Sequence, residues 1–372
     1  MGELRTAAVS SRGLQIDIVV PEGIDDPARP SGGNAYDRRI YRELTARGWR
    51  VREHAVSGSW PWPDGAAEDA LARVVSGIRD GAVVLVDGLI ASAAPNVLVP
   101  ETRRLALVVL VHMPLGDGLP EPELAHARIR ERAVLASASA IITTSSWTRQ
   151  RLIDIYQLRS ARIHVAEPGA DAATLSPGTA SGTELLCVAA VMPHKGHDTL
   201  LASLAIIADL SWRCVCVGPL DRDPGFVDGL RRRAETDGLA DRIRFAGARS
   251  PRELDREYAA ADVVVHASYA ETFGMVVIEA LARGLPVIAT AVGGVPDALG
   301  HTADGRRPGL LVPPRDPHAL SVALSSWLSD GDLRQRLRRA AQERRRSLAR
   351  WSTTSDRVAR VLDRLAAGSG DP

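Results

Sequence analysis

The chain has 372 residues, 45% hydrophobic and 24% charged, which is a length for two or three soluble domains whose core needs no disulfide or metal. Its 46 basic and 45 acidic residues leave a net charge of +1, and the first 170 residues balance 20 Arg against 20 Asp plus Glu, so neither nucleic acid nor an anionic membrane is an expected partner. Three cysteines without a C-x-x-C pair, no basic-then-apolar leader and no apolar run longer than Leu105–Val111 argue against a disulfide scaffold or a spanning helix and for a cytoplasmic setting.

Short apolar runs alternate with amphipathic helical patterns. Leu14–Val20 reads as a strand and Asn34–Arg47 as a helix. Val51–Val56, Val83–Val86 and Leu105–Val111 read as strands, then Glu121–Ser137 as a helix, Ala140–Thr144 as a strand, Ser146–Tyr156 as a helix and Arg162–Ala166 as a strand. The polar turns Glu167-Pro168-Gly169-Ala170-Asp171 and Ser176-Pro177-Gly178-Thr179 interrupt the rhythm. It resumes with strands at Glu184–Ala190, Arg213–Val217, Ile243–Ala246, Val263–Val265, Pro286–Ala289 and Leu310–Val312. Helices are expected at His197–Asp209, Gly225–Thr236, Pro251–Ala259, Gly274–Ala282 and Pro317–Leu328, and Leu333 to Leu365 reads as an Arg-rich helical tail with a solvated face. Alternating strands and helices imply two mostly parallel sheets with ligands beyond the strands' carboxyl ends. Cys214 and Cys216, two apart in a strand, are expected in the core with Cys187.

Three segments carry chemistry. Ser31-Gly32-Gly33-Asn34, between a strand and a helix, fits either a plain helix start or a close backbone approach to an anion. Of the 46 basic residues only Lys195 is a lysine, and it lies in Pro193-His194-Lys195-Gly196 between a strand and a helix. A compact ammonium there suits a diphosphate and is not interchangeable with a planar guanidinium. Glu271-Thr272-Phe273-Gly274 through Glu279-Ala280 puts one acid in a loop and a second in the following helix. Carboxylates accept from vicinal hydroxyls, and the amides that open a helix suit phosphate. The alternative is a helix with an acid near its start and a solvated Glu later. Asp221-Arg222-Asp223 reads as a solvated loop and His266 as a packed strand-end histidine. His194 and His197 are three apart with no third metal ligand evident nearby.

Taken together, Glu271-Thr272-Phe273-Gly274, Glu279-Ala280, Gly284-Leu285-Pro286-Val287-Ile288-Ala289-Thr290 and Gly293-Gly294-Val295-Pro296-Asp297 resemble the signature of the family-4 retaining glycosyltransferases. The likeness extends to Gly32-Gly33, to His112 in Val111-His112-Met113-Pro114, to Thr144-Ser145-Ser146 with Thr148-Arg149, to Pro168-Gly169-Ala170-Asp171, to Lys195-Gly196 and to Trp351-Ser352. It implies an α/β GT-B fold, two Rossmann-like domains with a cleft between them. The first would be an acceptor-binding domain over residues 1–170. The second, over 171–351, would bind the nucleotide-sugar, and a final helix, 352–372, would return to the first.

The resemblance also implies roles. Glu271 would meet hydroxyls of the donor sugar and Glu279 its ribose. Phe273, Gly274, Met275 and Val276 would offer backbone amides. Gly32 and Gly33 would approach the distal phosphate, His112 would lie near the reacting centre, and Lys195 would neutralise the leaving diphosphate. Ala190 departs from the family, where many members carry a second cation. The expected activity is that of a retaining hexosyltransferase from a bacterium, with a UDP-sugar as donor, a small soluble acceptor, and no metal or other cofactor. The rival readings are a nucleotide-sugar epimerase, a phosphorylase, a binding protein without activity, or a transferase acting on a lipid or polysaccharide. Loops at Trp60–Pro63, Asp87-Gly88 and Met113–Pro120 are candidates for shaping the acceptor pocket.

Overall fold

The computed structural model describes residues 14–26, 31–116 and 123–368. Pro30, residues 117–120 of the candidate acceptor loop, residues 121–122 of the helix expected from Glu121, and residues 369–372 lie outside them. The chain divides into two compact units, Met1–Pro168 with Trp351–Pro372, and Gly169–Arg350.

The first unit runs β1 (Gln15–Pro21), α1 (Gly32–Ala46), β2 (Arg50–Val56), α2 (Gly65–Ser76), β3 (Val83–Asp87), α3 (Gly88–Ala91), α4 (Pro95–Glu101), β4 (Ala106–Val111), α5 (Glu123–Ser137), β5 (Ala140–Thr143), α6 (Ser146–Tyr156) and β6 (Ile163–Val165). Its strands form one parallel sheet in the order β2-β1-β3-β4-β5-β6. The second unit runs β7 (Glu184–Val188), α7 (His197–Ile206), β8 (Arg213–Val217), α8 (Pro224–Thr236), β9 (Ile243–Gly247), α9 (Pro251–Ala260), β10 (Val263–His266), α10 (Met275–Ala282), β11 (Val287–Thr290), α11 (Val295–Leu299), β12 (Gly309–Val312), α12 (Pro317–Ser329) and α13 (Gly331–Arg346). Its parallel sheet has the order β12-β11-β10-β7-β8-β9. The last helix, α14 (Trp351–Gly368), packs on α1 within the first unit.

These are two Rossmann-like units of α/β class, the GT-B pattern. Helices cover both faces of each sheet, so the central strands are apolar throughout: β3 is buried at all five residues and β10 at all four. Helix starts follow the capping rules. Ser31 accepts from the Asn34 amide at 3.0 Å, and Asp223 accepts from the Phe226 amide at 3.0 Å. Asp221-Arg222-Asp223 thus ends in a helix cap.

Three features differ from the sequence expectations. Helices α2 and α4 were not anticipated, although Asp64 caps α2 and Ala67, Leu71 and Val75 give it a buried stripe. Asp87-Gly88 is not an open loop but the end of β3 and the start of α3, where Asp87 accepts from the Leu89 amide at 2.7 Å. The Arg-rich tail is not one helix. It breaks at residues 347–350, and the two parts belong to different units. Among the described residues no helix is long and apolar enough to cross a membrane.

Candidate functional site

Where the winding of an open parallel sheet reverses, the loops leaving two neighbouring strands diverge and open a crevice at their carboxyl ends. In the second unit that reversal lies between β7 and β10. The connection leaving β7 carries Lys195 in a single 3₁₀ turn, Pro193–Lys195, and the connection leaving β10 carries Glu271. The two meet: Lys195 Nζ donates to Glu271 Oε2 at 2.9 Å, with the side chains 22% and 18% exposed. Two glycines permit this approach. Gly196 has φ +71° and a Cβ there would lie 1.9 Å from the Ala267 carbonyl oxygen, while Gly293 has φ +52° and would put a Cβ 1.6 Å from that of Glu271.

His266 belongs to this cluster. It is 4% exposed, and its Nε2 lies 3.6 Å from Glu271 Oε2 without a hydrogen-bond partner. Burial pushes its pKa down to about 4, against a partial counter-effect of Glu271, so the ring is neutral at neutral pH. Burial pushes the Glu271 carboxyl up, but the Lys195 ammonium and His266 outweigh it and hold Glu271 below the usual carboxylate range. His194, beside them, is pushed down by burial and by Lys195. A histidine whose folded pKa is depressed costs stability as pH falls, because only the unfolded chain takes the proton between pH 6.5 and about 4. Unfolding free energy from urea titrations is therefore expected to drop between pH 7 and pH 4.5 by about 2 kcal/mol more in the wild type than in His266→Leu. Equal slopes would mean His266 is not held neutral.

Glu279 is half-buried on α10 and does not join the Lys195–Glu271 pair. It accepts from the Tyr258 hydroxyl at 2.9 Å, and Arg283 covers the Tyr258 ring at 4.3 Å. Burial raises the Glu279 carboxyl, partly offset by Tyr258 and Arg283. Phe273 is buried in the core, so only its backbone can face a ligand. Gly274, at φ +97°, turns the chain into α10, and the first helical bond runs from the Val277 amide to the Gly274 carbonyl at 2.9 Å. The Met275 and Val276 amides precede that ladder and suit an anion.

The first unit has its own cluster at its own reversal, between β1 and β3. Gly32 and Gly33 open α1, and a Cβ on Gly33 would touch the His112 ring at 3.4 Å. His112, just beyond β4, is 24% exposed at its side chain, and its Nε2 lies 2.8 Å from Asp37 Oδ1. The Tyr36 ring meets the His112 ring edge-on, 5.3 Å between centroids and 83° between planes. Glu131, fully buried on α5, pins the chain after His112. It accepts from the Leu115 amide at 2.9 and 3.1 Å, from Ser92 Oγ at 2.9 Å and from the Tyr156 hydroxyl at 2.5 Å. The Ser/Thr-Arg segment is a fastener: Ser145 caps α6, and Arg149 donates to the Ile163 and Ser160 carbonyls.

Two groups of metal-capable side chains exist among the described residues, Asp37–Asp87–His112 and Cys187–His197–Cys216, each with its ligand atoms within 4.8 Å of one another. All three cysteines are free and buried. His197, for which the sequence showed no neighbouring ligand, lies 3.8 Å from Cys187 Sγ. The strand pairing of Cys187 with Cys216 brings the second thiol to the same group. Sequence reasoning missed Asp37, Tyr258 and Glu131, took Asp87 only as part of a candidate acceptor loop, and set His266 aside. Asp87 and His266 end otherwise apolar strands, whereas Asp37, Glu131 and Tyr258 sit in charged helices where nothing sets them apart.

A family model described as glycosyl transferases group 1 matches residues 180–344. A protein of Corynebacterium glutamicum named D-inositol 3-phosphate glycosyltransferase is 33% identical over 265 residues, 66% of this chain and 62% of that protein. One of the same name from Kineococcus radiotolerans is 30% identical over 303 residues, 74% of this chain and 69% of that protein. The chain thus spans a little over three fifths of the length of the Corynebacterium relative. Among solved structures, sucrose-phosphate synthase from Thermosynechococcus elongatus superposes with a TM-score of 0.76 at 23% identity, over 95% of this chain and 100% of that one. Anabaena HepE in complex with UDP-glucose gives 0.74 at 19% identity, over 94% and 100%.

Proposed function

Because the chain belongs to the group 1 glycosyl transferases, we propose that it moves a sugar from a nucleotide-sugar donor, a UDP-sugar first among them, to a small-molecule acceptor with retention at the anomeric carbon. The observation that carries this reading is the Lys195–Glu271 pair at the sheet reversal of the second unit. A carboxylate that can take sugar hydroxyls and an ammonium that can meet a diphosphate stand side by side there. UDP-glucose bound by HepE, whose fold is similar, supports the choice of donor. The name of the relatives makes a polyol phosphate the first acceptor to try.

An ammonium has three donors, so Lys195 can keep one on Glu271 and turn others to the leaving phosphate. As the bond between the anomeric carbon and the phosphate oxygen breaks, its electron pair goes to the diphosphate, and Lys195 stabilises that charge. The acceptor hydroxyl adds on the same face and gives its proton to the departing phosphate oxygen. Glu279, held by Tyr258, takes the ribose hydroxyls, while Phe273, Gly274, Met275 and Val276 present amides. Within the first unit, Gly32, Gly33 and His112 are the residues we assign to contact with a phosphate or sugar. In this reading the reaction is cytoplasmic, and it needs no metal because Lys195 and the helix-opening amides meet the anionic charge.

The test is a calorimetric panel of nucleotide sugars followed by mass and NMR analysis of products, with and without EDTA. Retention and metal-independent transfer to a small acceptor are expected. Isomerisation of the donor alone would mark an epimerase, and phosphate-dependent release of a sugar 1-phosphate a phosphorylase. Transfer confined to lipid or polysaccharide would overturn the acceptor. Glu279→Ala is expected to weaken donor binding by roughly 1.5–3 kcal/mol, as when one charge-assisted hydrogen bond is lost. Unchanged affinity by calorimetry would remove Glu279 from the ribose.

A further inference from the structure

We propose that Asp87, Asp37 and His112 form a proton-sharing chain in which Asp37 is the positioning residue for His112, an assignment that rests on the transferase reading above for its effect on turnover. The three come from separate elements, the end of β3, the first turns of α1 and the residue just past β4, and meet beside the reversal of the first sheet. Asp37 is 1% exposed and Asp87 6%. Asp37 Oδ1 takes the His112 Nε2 bond at 2.8 Å, and Asp87 Oδ1 takes the Leu89 amide at 2.7 Å. Asp37 Oδ2 is buried and has no hydrogen-bond partner, while a carboxylate oxygen of Asp87 lies within 4.8 Å of one of Asp37 and of a His112 nitrogen, so Asp37 is the acceptor within reach of a protonated Asp87.

Two buried carboxylates this close cannot both be ionised at low cost. Burial and the neighbouring Asp37 push Asp87 up to about 7, so Asp87 is partly protonated near neutral pH. Burial alone would push His112 down, but the Asp37 charge and hydrogen bond outweigh it, and the ring is held above its ordinary value. The other groups facing the cluster are Tyr36 and Tyr41 on α1. Burial and Asp37 push both up, so they stay neutral. Arg38, next to Asp37 in sequence, is paired with Asp25 and Glu53.

The consequence is geometric. With Nε2 committed to Asp37, Tyr36 against one edge and Gly33 against the ring, His112 is left with Nδ1 as the nitrogen that has no protein partner among the described residues. Asp87 keeps Asp37 oriented. A pair that merely stabilises the fold would not care which carboxylate holds the proton. This chain does, because an amide at position 87 can still donate toward Asp37, as a protonated Asp87 would, whereas an amide at position 37 removes the charge that raises the His112 pKa.

The experiment compares Asp37→Asn and Asp87→Asn by steady-state kinetics and by NMR of ¹⁵N-histidine-labelled protein, the His112 signals being identified by their loss in His112→Gln. Asp37→Asn is expected to lower kcat about 100-fold while donor KM changes less than about three-fold. It should also drop the His112 pKa by about one unit or more. Asp87→Asn is expected to lower kcat only about three-fold and to remove the inflection near pH 7 from the His112 titration. The proposal is overturned if Asp37→Asn leaves the His112 titration unchanged, if Asp87→Asn is the more damaging variant, or if the purified protein holds a stoichiometric divalent metal that Asp87→Asn removes. Should the wild type transfer no sugar, the transferase reading fails, and the NMR arm still decides the proton chain.

Discussion

Lys195→Ala lowers kcat by about two to three orders of magnitude, the expected cost of deleting one preorganised group that meets charge in the transition state. A unit charge pair at 4 Å is worth about 4 kcal/mol at an effective dielectric near 20. No second cation is offered at the position where many relatives of the resembled family carry one, since Ala190 stands there. The Lys195–Glu271 pair is partly exposed, so its loss lowers stability by only about 1 kcal/mol, and the melting temperature barely moves. Lys195→Arg recovers only part of the rate, because a planar fork cannot replace a point charge seated on a tight 3₁₀ turn. Wild-type turnover in the arginine variant, measured alongside the melting temperature, would show that the sole lysine has no special part in the chemistry.

The second large effect is on stability. Glu131→Ala is expected to cost about 3–4 kcal/mol in urea unfolding, because Ser92, the Leu115 amide and Tyr156 all lose their acceptor at a fully buried point. Glu131→Gln keeps one acceptor oxygen and should cost about 1–2 kcal/mol. The loss also loosens the chain just beyond His112, so residual activity of the folded alanine variant should fall further than its folded fraction. A cost under about 1 kcal/mol for the alanine variant would mean that water replaces the carboxylate and that the site is less enclosed than its burial implies.

Much of the fold was legible because parallel strands and their covering helices announce themselves locally. A run such as Leu107–Val111 is apolar at every residue since both faces of its sheet are covered. Helix α2 escaped notice because its stripe is short and rich in alanine, and α3 because it spans only four residues. Helical periodicity alone did not show the break at residues 347–350, because an Arg-rich pattern runs on through it; the expectation of a separate last helix came only from the likeness at Trp351-Ser352. Lys195 stood out by composition, and Glu271 and Glu279 by their loop-then-helix placement in a segment that resembles a family signature. His266 did not, since a histidine at a strand end looks the same whether it faces packing or a carboxylate.

By itself, then, the sequence determined where strands and helices alternate, which loops leave the carboxyl ends of strands, and which residue types those loops carry. It did so because these properties depend on neighbours a few positions apart. Only the tertiary structure decided who meets whom. Lys195 reaches Glu271 across 76 residues because β7 lies beside β10, and His112 reaches Asp37 across 75 because only β3 separates β1 from β4. Strand order is a long-range choice made by burying both faces of each sheet at once, and no local pattern contains it.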